Sequence, residues 1–177
     1  MNDEALNEEL KQMYGREAAP ARVLSSETLR APISALRLKE PLLVPPTMLV
    51  RDAIQEMKRR HHACLMVVEH DKLAGIFTER DVLTRVAAEG RLDDKTTLSE
   101  VMTREPSTLY SHQMIGYALN FMHVGGFRHV PVVDDRGRPQ GVVAVRDILA
   151  YLAEFFPAEV HNLPPSKQAD HMPIDGG

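Results

Sequence analysis

The chain has 177 residues and a formal net charge of −4, from 21 Lys and Arg against 25 Asp and Glu. With 44% hydrophobic and 26% charged residues it has the composition of an ordinary globular protein, long enough for one domain or two small halves sharing a core. The basic residues are scattered, which argues against a broad nucleic-acid surface, and the lone Cys64 excludes an internal disulfide. The run Cys64-Leu65-Met66-Val67-Val68 makes that cysteine a small core residue rather than a reactive one. No apolar run approaches the roughly 20 residues of a membrane helix, and the acidic start MNDEALNEEL lacks the apolar stretch of a secretory signal. A cytoplasmic protein is expected.

In chain order, residues 1–30 hold an amphipathic segment, with Leu6, Leu10, Met13 and Tyr14 on one face, and a linker to Leu29. Two similar units follow, 31–95 and 96–157, and a Pro-rich extended tail closes the chain at 158–177. Ile33-Ser34-Ala35-Leu36 aligns with Leu98-Ser99-Glu100-Val101, Glu40-Pro41 with Glu105-Pro106, and Val67-Val68 with Val132-Val133. One extra residue in the turn 134–140 shifts the register, so that Gly75 falls on Gly141 and Arg80-Asp81 on Arg146-Asp147. Each unit predicts a helical turn (33–36, 98–102), a break at Glu-Pro and a short strand (42–44, 107–109). An amphipathic helix comes next, with Leu49, Ala53, Ile54 and Met57, or Ile115, Ala118, Leu119 and Met122, at helical spacing. Two strands follow, Cys64–Glu69 with Lys72–Phe77 and Val130–Asp134 with Gln140–Val143, then a closing helix near 79–89 or 145–156. Units of about 60 residues are marginal alone, so two of them are expected to share burial.

The run Gly75-Ile76-Phe77-Thr78-Glu79-Arg80-Asp81 resembles the strand-to-helix signature of cystathionine-β-synthase (CBS) domains, and Gly141-Val142-Val143-Ala144-Val145-Arg146-Asp147 is its second copy. Val130-Pro131-Val132-Val133-Asp134 resembles the second strand of the same family. The resemblance covers roughly residues 31–156. It implies an α/β fold of two β-α-β-β-α repeats packed by pseudo-twofold symmetry, with two clefts between their sheets. It also implies a non-catalytic regulatory module that requires no cofactor and binds an adenosine-containing ligand. AMP, ADP or ATP come first as that ligand, with S-adenosylmethionine or NAD behind. The same resemblance implies a homodimer that signals to a separate effector protein. The alternative is a structural or dimerisation module with empty clefts.

Thr78 and Asp81 sit where a strand becomes a helix. A carboxylate there accepts hydroxyl hydrogen bonds, which suits a ribose diol, and helix N-terminal amides favour phosphate. The same Thr-x-x-Asp pattern is also a helix-capping pattern, and both readings stand. Ile76 and Arg80 flank that pair. In the family, the residues that begin the second strand approach the ligand held by the other repeat. This places Phe127, Arg128, His129 and Val130 opposite Thr78 and Asp81, with Arg128 suited to phosphate and His129 to a charge-dependent contact. Gly125-Gly126 fits either a close backbone approach or a helix C-cap. The second site gathers Asp147, Val142, Ala63 and Cys64; it lacks the hydroxyl, Ala144 standing where the first copy has Thr78, and ranks as the weaker. The adjacent His61 and His62 at a helix end cannot face one ligand together, and no metal site or catalytic residue is expected.

Overall fold

The computed structural model describes residues 25–156; the amphipathic segment at 6–14 and the tail from 157 lie outside that range. Helix α1 (Ser26–Arg30) is capped by Ser25 and followed by a 3-10 turn, Ile33–Ala35. Strand β1 (Leu43–Val44), helix α2 (Val50–Arg60), and strands β2 (Cys64–Glu69) and β3 (Lys72–Thr78) make the first repeat's framework. Helix α2 buries Val50, Ala53 and Met57 on one face, carries Asp52 in its first turn and ends in Lys58-Arg59-Arg60, in accord with the helix dipole. The second repeat brings α4 (Leu98–Val101), β4 (Thr103–Arg104), α5 (Ile115–Gly125), β5 (His129–Val133), β6 (Pro139–Ala144) and α6 (Val145–Ala153). Helix α5 buries Ile115, Ala118 and Met122 at the positions equivalent to those of α2. It ends at Gly126, whose φ of 65° only glycine adopts without cost.

The repeats are joined by exchange of their leading segments. Leu98 N–H donates to Met48 O at 2.9 Å and Val50 N–H to Thr96 O at 3.0 Å; the same pair recurs as Ile33 to Gln113 at 2.8 Å and Ile115 to Ala31 at 2.9 Å. Ser99 to Pro46 (3.0 Å) and Ser34 to Ser111 (2.9 Å) repeat the pattern once more. The start of each repeat therefore binds the segment that leads into the other repeat's long helix. Strand β4 extends the exchange, adding to the first repeat's sheet in the order β1-β2-β3-β4, while Lys39 bridges to Val142 in the second. Leu98, Val101 and Met102 accordingly fill the core of the first repeat with Leu42, Val44, Val50, Leu65 and Phe77. The first repeat does not complete its core from its own sequence.

Three expectations are corrected. The closing helix of the first repeat is not a uniform α-helix over 79–89. It starts as α3 (Glu79–Asp81) and continues as a π-helix over Val82–Ala87, with Ala88 N–H bonded to Leu83 O at 3.1 Å and Arg91 N–H to Val86 O at 2.8 Å. The strand expected at 107–109 is reduced to Leu109, which makes a parallel bridge to Val132, while a strand not expected, Thr103–Arg104, pairs with β3 of the first repeat. The final helix closes at Ala153, short of 156. The described residues Ser25–Tyr151 form one compact unit, and Leu152–Phe156 fall in a second.

The signature glycines serve the exchange. A Cβ on Gly75 would lie 2.5 Å from Met102 Sδ and 2.9 Å from the Thr103 carbonyl oxygen, both in the crossing segment. A Cβ on Gly141 would meet only the Leu38 side chain, Cδ1 at 3.1 Å and Cβ at 3.4 Å. Gly75→Ala is therefore expected to cost about 1–3 kcal/mol by overpacking, and Gly141→Ala clearly less. Urea unfolding of the two variants checks the order; equal midpoints would show that the β3–β4 contact yields freely.

Candidate functional site

Two clefts lie between the repeats, related by the internal symmetry and very different in size. The wide one, about 410 Å³, is walled by Ile76, Thr78, Glu79, Arg80, Asp81, Thr84 and Arg85 from the first repeat. Gly125, Phe127, Arg128, His129 and Pro131 face them from the second, and the crossing segment supplies Thr103, Glu105, Pro106 and Ser107. The narrow one, about 30 Å³, is lined by Lys39, Glu40, His62, Ala63, Cys64, His129, Val142, Ala144, Arg146 and Asp147, among others. The wide cleft falls in the range of small-molecule sites, roughly 300–1,000 Å³; the narrow one has room for a water or two.

Thr78 and Asp81 form a reciprocal cap. Thr78 N–H donates to Asp81 Oδ2 at 2.9 Å and the Thr78 hydroxyl donates to the same oxygen at 2.7 Å, while Asp81 N–H reaches Thr78 Oγ1 at 3.4 Å. The capping reading is thus realised, and the buried carboxylate still borders the cleft. Arg80 Nη1 reaches across to the Gly126 carbonyl at 2.8 Å and so ties the start of α3 to the end of α5. Phe127 stands edge-on to Phe121, centroids 5.6 Å apart, which fixes its ring as an aromatic wall. The carbonyl of Arg128 is held by Val145 N–H at 3.0 Å, and its guanidinium is exposed, with no carboxylate partner among the described residues.

In the narrow cleft Asp147 makes only the backbone half of the cap, Ala144 N–H to Oδ2 at 2.8 Å. His62 occupies the position of Phe127, and Ala63 and Cys64 those of Arg128 and His129. Burial pushes the Cys64 thiol up to about 12, so it is an inert core group. Of the residues expected in the wide cleft, Ile76, Thr78, Arg80, Asp81, Phe127, Arg128 and His129 come together there. Val130 does not. It is fully buried in the core, because alternate residues of β5 face opposite ways, and Pro131 takes the place at the wall. Ala63, assigned to the second site alone, borders both clefts.

The CBS-domain family model matches residues 33–88 and 98–154. The chain belongs to the CBS-domain family. A CBS domain-containing protein of Arabidopsis thaliana, CBSCBSPB3, is 42% identical over 117 residues, which are 66% of this chain and 20% of that one. The chain thus spans about a fifth of that relative's length. Among solved structures, the CBS domain pair of protein MJ0100, in complex with 5′-methylthioadenosine and S-adenosyl-L-methionine, superposes with a TM-score of 0.64 at 26% identity, covering 70% of this chain and 96% of that one. The CBS domain protein PAE2072 from Pyrobaculum aerophilum, complexed with AMP, gives 0.63 at 25% identity, covering 72% and 100%.

The fold of this CBS pair also brings in residues that sequence reasoning missed. Arg85 lies four positions after Asp81, a helical-neighbour spacing that could have flagged it. Thr103, Glu105, Pro106 and Ser107 carried no such signal, since only the crossing of the leading segment puts them at the rim. Glu105 holds a left-handed φ of 43° as the chain leaves β4 beside the cleft. Among the described residues no group of His, Cys, Asp and Glu is arranged to hold a metal ion, and no helix is long and apolar enough to cross a membrane.

Burial, then the positive charges of Arg128 and Arg146, hold the His129 imidazole below its ordinary value of 6.5, against the opposing pull of Asp147. His62 is lowered likewise, by burial and then by Lys39, Arg60 and Arg146, with Glu40 opposing. A lowered folded value means that the unfolded chain binds the proton more readily, so stability is full above the ordinary value and is lost as pH falls through it toward the folded one. Denaturant midpoints are expected to fall between about pH 7.5 and about pH 5.5, and less steeply in His129→Gln than in the parent. An unchanged slope in the variant would exclude His129 as a source of the effect.

Proposed function

We propose that this CBS pair is a regulatory module that binds one adenosine-containing ligand per chain in the wide cleft and passes the state of that cleft to a separate effector protein. The observation that carries the reading is the contrast between clefts of about 410 and about 30 Å³ built on one scaffold. The similar CBS pairs solved with AMP or with S-adenosyl-L-methionine and 5′-methylthioadenosine support the class of ligand. In this reading Asp81 accepts a ribose hydroxyl, Phe127 and Ile76 border the base, and Arg128 meets the phosphate. AMP, ADP and ATP all satisfy that arrangement.

Calorimetry tests it. AMP is expected to bind with one site per chain. Asp81→Asn should weaken it by about 10- to 150-fold, the cost of a charge-assisted hydrogen bond of about 1.5–3 kcal/mol, while Asp147→Asn has little effect. Arg128→Ala should weaken AMP but spare adenosine, the more so at low salt, because a guanidinium–phosphate pair open to solvent is screened. Two equivalent sites, or no binding of any adenosine compound, would overturn the reading, the latter in favour of a purely structural module.

We further propose a homodimer formed through helix faces. Leu83 and Leu149 occupy equivalent positions of the two closing helices and are 69% and 58% exposed. Val124 and Tyr117 of α5 add to the exposed apolar surface, where α2 has Arg59 and Asp52. Sedimentation at micromolar concentration is expected to give twice the chain mass, and Leu83→Glu with Leu149→Glu to halve it; a parent protein that sediments as a monomer would rule the dimer out.

A further inference from the structure

Asp81 is restrained from two sides, whereas among the described residues Asp147 is held from one, by Ala144 N–H. Its Oδ2 accepts both the N–H and the hydroxyl of Thr78. Its Oδ1 lies 3.4 Å from Arg85 Nε, and Arg85 Nη1 donates in turn to the carbonyl of Val101 at 3.0 Å, in the leading segment of the other repeat. The guanidinium therefore links the carboxylate at the cleft wall to the crossing chain beside it. At the equivalent place in the narrow cleft, four residues after Asp147, stands Tyr151, which supplies no cation.

The helix is built differently for this purpose. After Asp81 it widens into the π turn Val82–Ala87, whereas Asp147 is followed by regular α-helix to Ala153. An i→i+5 turn takes in an extra residue per loop of chain, so a side chain four positions on stands more nearly above its partner than in an α-helix. Single π turns recur at functional sites for such reasons. Arg85 lines the wide cleft and is half-buried, tied at two points, Nε beside Asp81 and Nη1 on the Val101 carbonyl, where the guanidinium of Arg128 is exposed.

We infer that Arg85 is a positioning residue for the proposed ligand. It fixes the Asp81 carboxylate so that the remaining lone pair of Oδ1 faces the cleft and accepts one ribose hydroxyl. With Oδ2 saturated by Thr78, a carboxylate's capacity leaves that single direction well placed. The cleft then discriminates ribose from one deoxyribose isomer, and Arg85 sets the discrimination without touching the ligand. This rests on the reading that the wide cleft holds an adenosine compound.

The test is binding of adenosine, 2′-deoxyadenosine, 3′-deoxyadenosine and AMP to the full chain, to Arg85→Met and to Arg85→Lys. The parent should bind one deoxy isomer about 10-fold or more weakly than adenosine, as expected for loss of a hydrogen bond to a charged group. In Arg85→Met that ratio should collapse to about 2-fold or less, with the AMP-to-adenosine ratio unchanged, and Arg85→Lys, which keeps the charge without the fork, should fall between. Should Arg85→Met fail to fold, a partial loss of discrimination in Arg85→Lys carries the same conclusion, and full retention in Arg85→Lys overturns it. Discrimination that survives in Arg85→Met, or a loss confined to AMP, overturns the positioning role while leaving the adenosine reading intact. A parent that binds none of the four compounds, or binds them all equally, defeats the adenosine or the ribose reading before any substitution is made, and this inference falls with it.

Discussion

Each repeat lends its leading segment to the other. Six backbone hydrogen bonds, in three symmetry-related pairs, tie residues 31–34 to the approach of α5 and residues 96–99 to the approach of α2. Half-domains of about 60 residues bury too little surface to stand alone, and the exchange completes the first repeat's core with Leu98, Val101 and Met102, while Ile33 and Leu36 of the other leading segment are buried likewise. The space for it is made by the absence of a side chain at Gly75 and Gly141. In the first repeat the strand-to-helix signature begins with glycine where β4 passes over it.

The clefts follow from the same exchange. Each is bounded by the strand-to-helix turn of one repeat, the start of the second strand of the other, and a crossing segment, so the two begin as equals. Side chains then separate them. Phe127 with Gly125 opens one wall where His62 and Cys64 close the other, and Thr103–Ser107 rim a space that Lys39–Leu42 fill. A duplicated scaffold thus carries one wide and one narrow cleft through differences at a handful of positions.

Charge in the wide cleft is arranged by prior commitments. Asp81 caps its own helix, Arg85 is held between Asp81 and Val101, and Arg80 is bonded to Gly126. Beside these committed groups the cleft is lined by Glu79, Glu105, Ser107 and His129 and by Arg128, whose guanidinium is exposed. The committed groups need little reorganisation, because capping and crossing contacts already hold them in place. The His129 imidazole, kept neutral by burial and by its cationic neighbours, adds polarity to the wall without adding charge at neutral pH.

The sequence by itself determined the duplication, the long helix and the strand pair of each repeat, and most of the residues that line the wide cleft. Periodicity and register are local properties, and the family signature fixes which turn carries Thr78 and Asp81. It also exposed the asymmetry, since Ala144 cannot supply the hydroxyl that Thr78 does. Three things were decided only by the tertiary structure. Val130 turned inward because strand alternation is set by which face meets the core, and that depends on the register of β5 against β6. The crossing of Thr103–Ser107 into the wide cleft is a contact between segments distant along the chain, which leaves no periodic trace. The π turn over Val82–Ala87, in which Val86 is buried while Arg85 reaches Val101, is a feature that no helix propensity records.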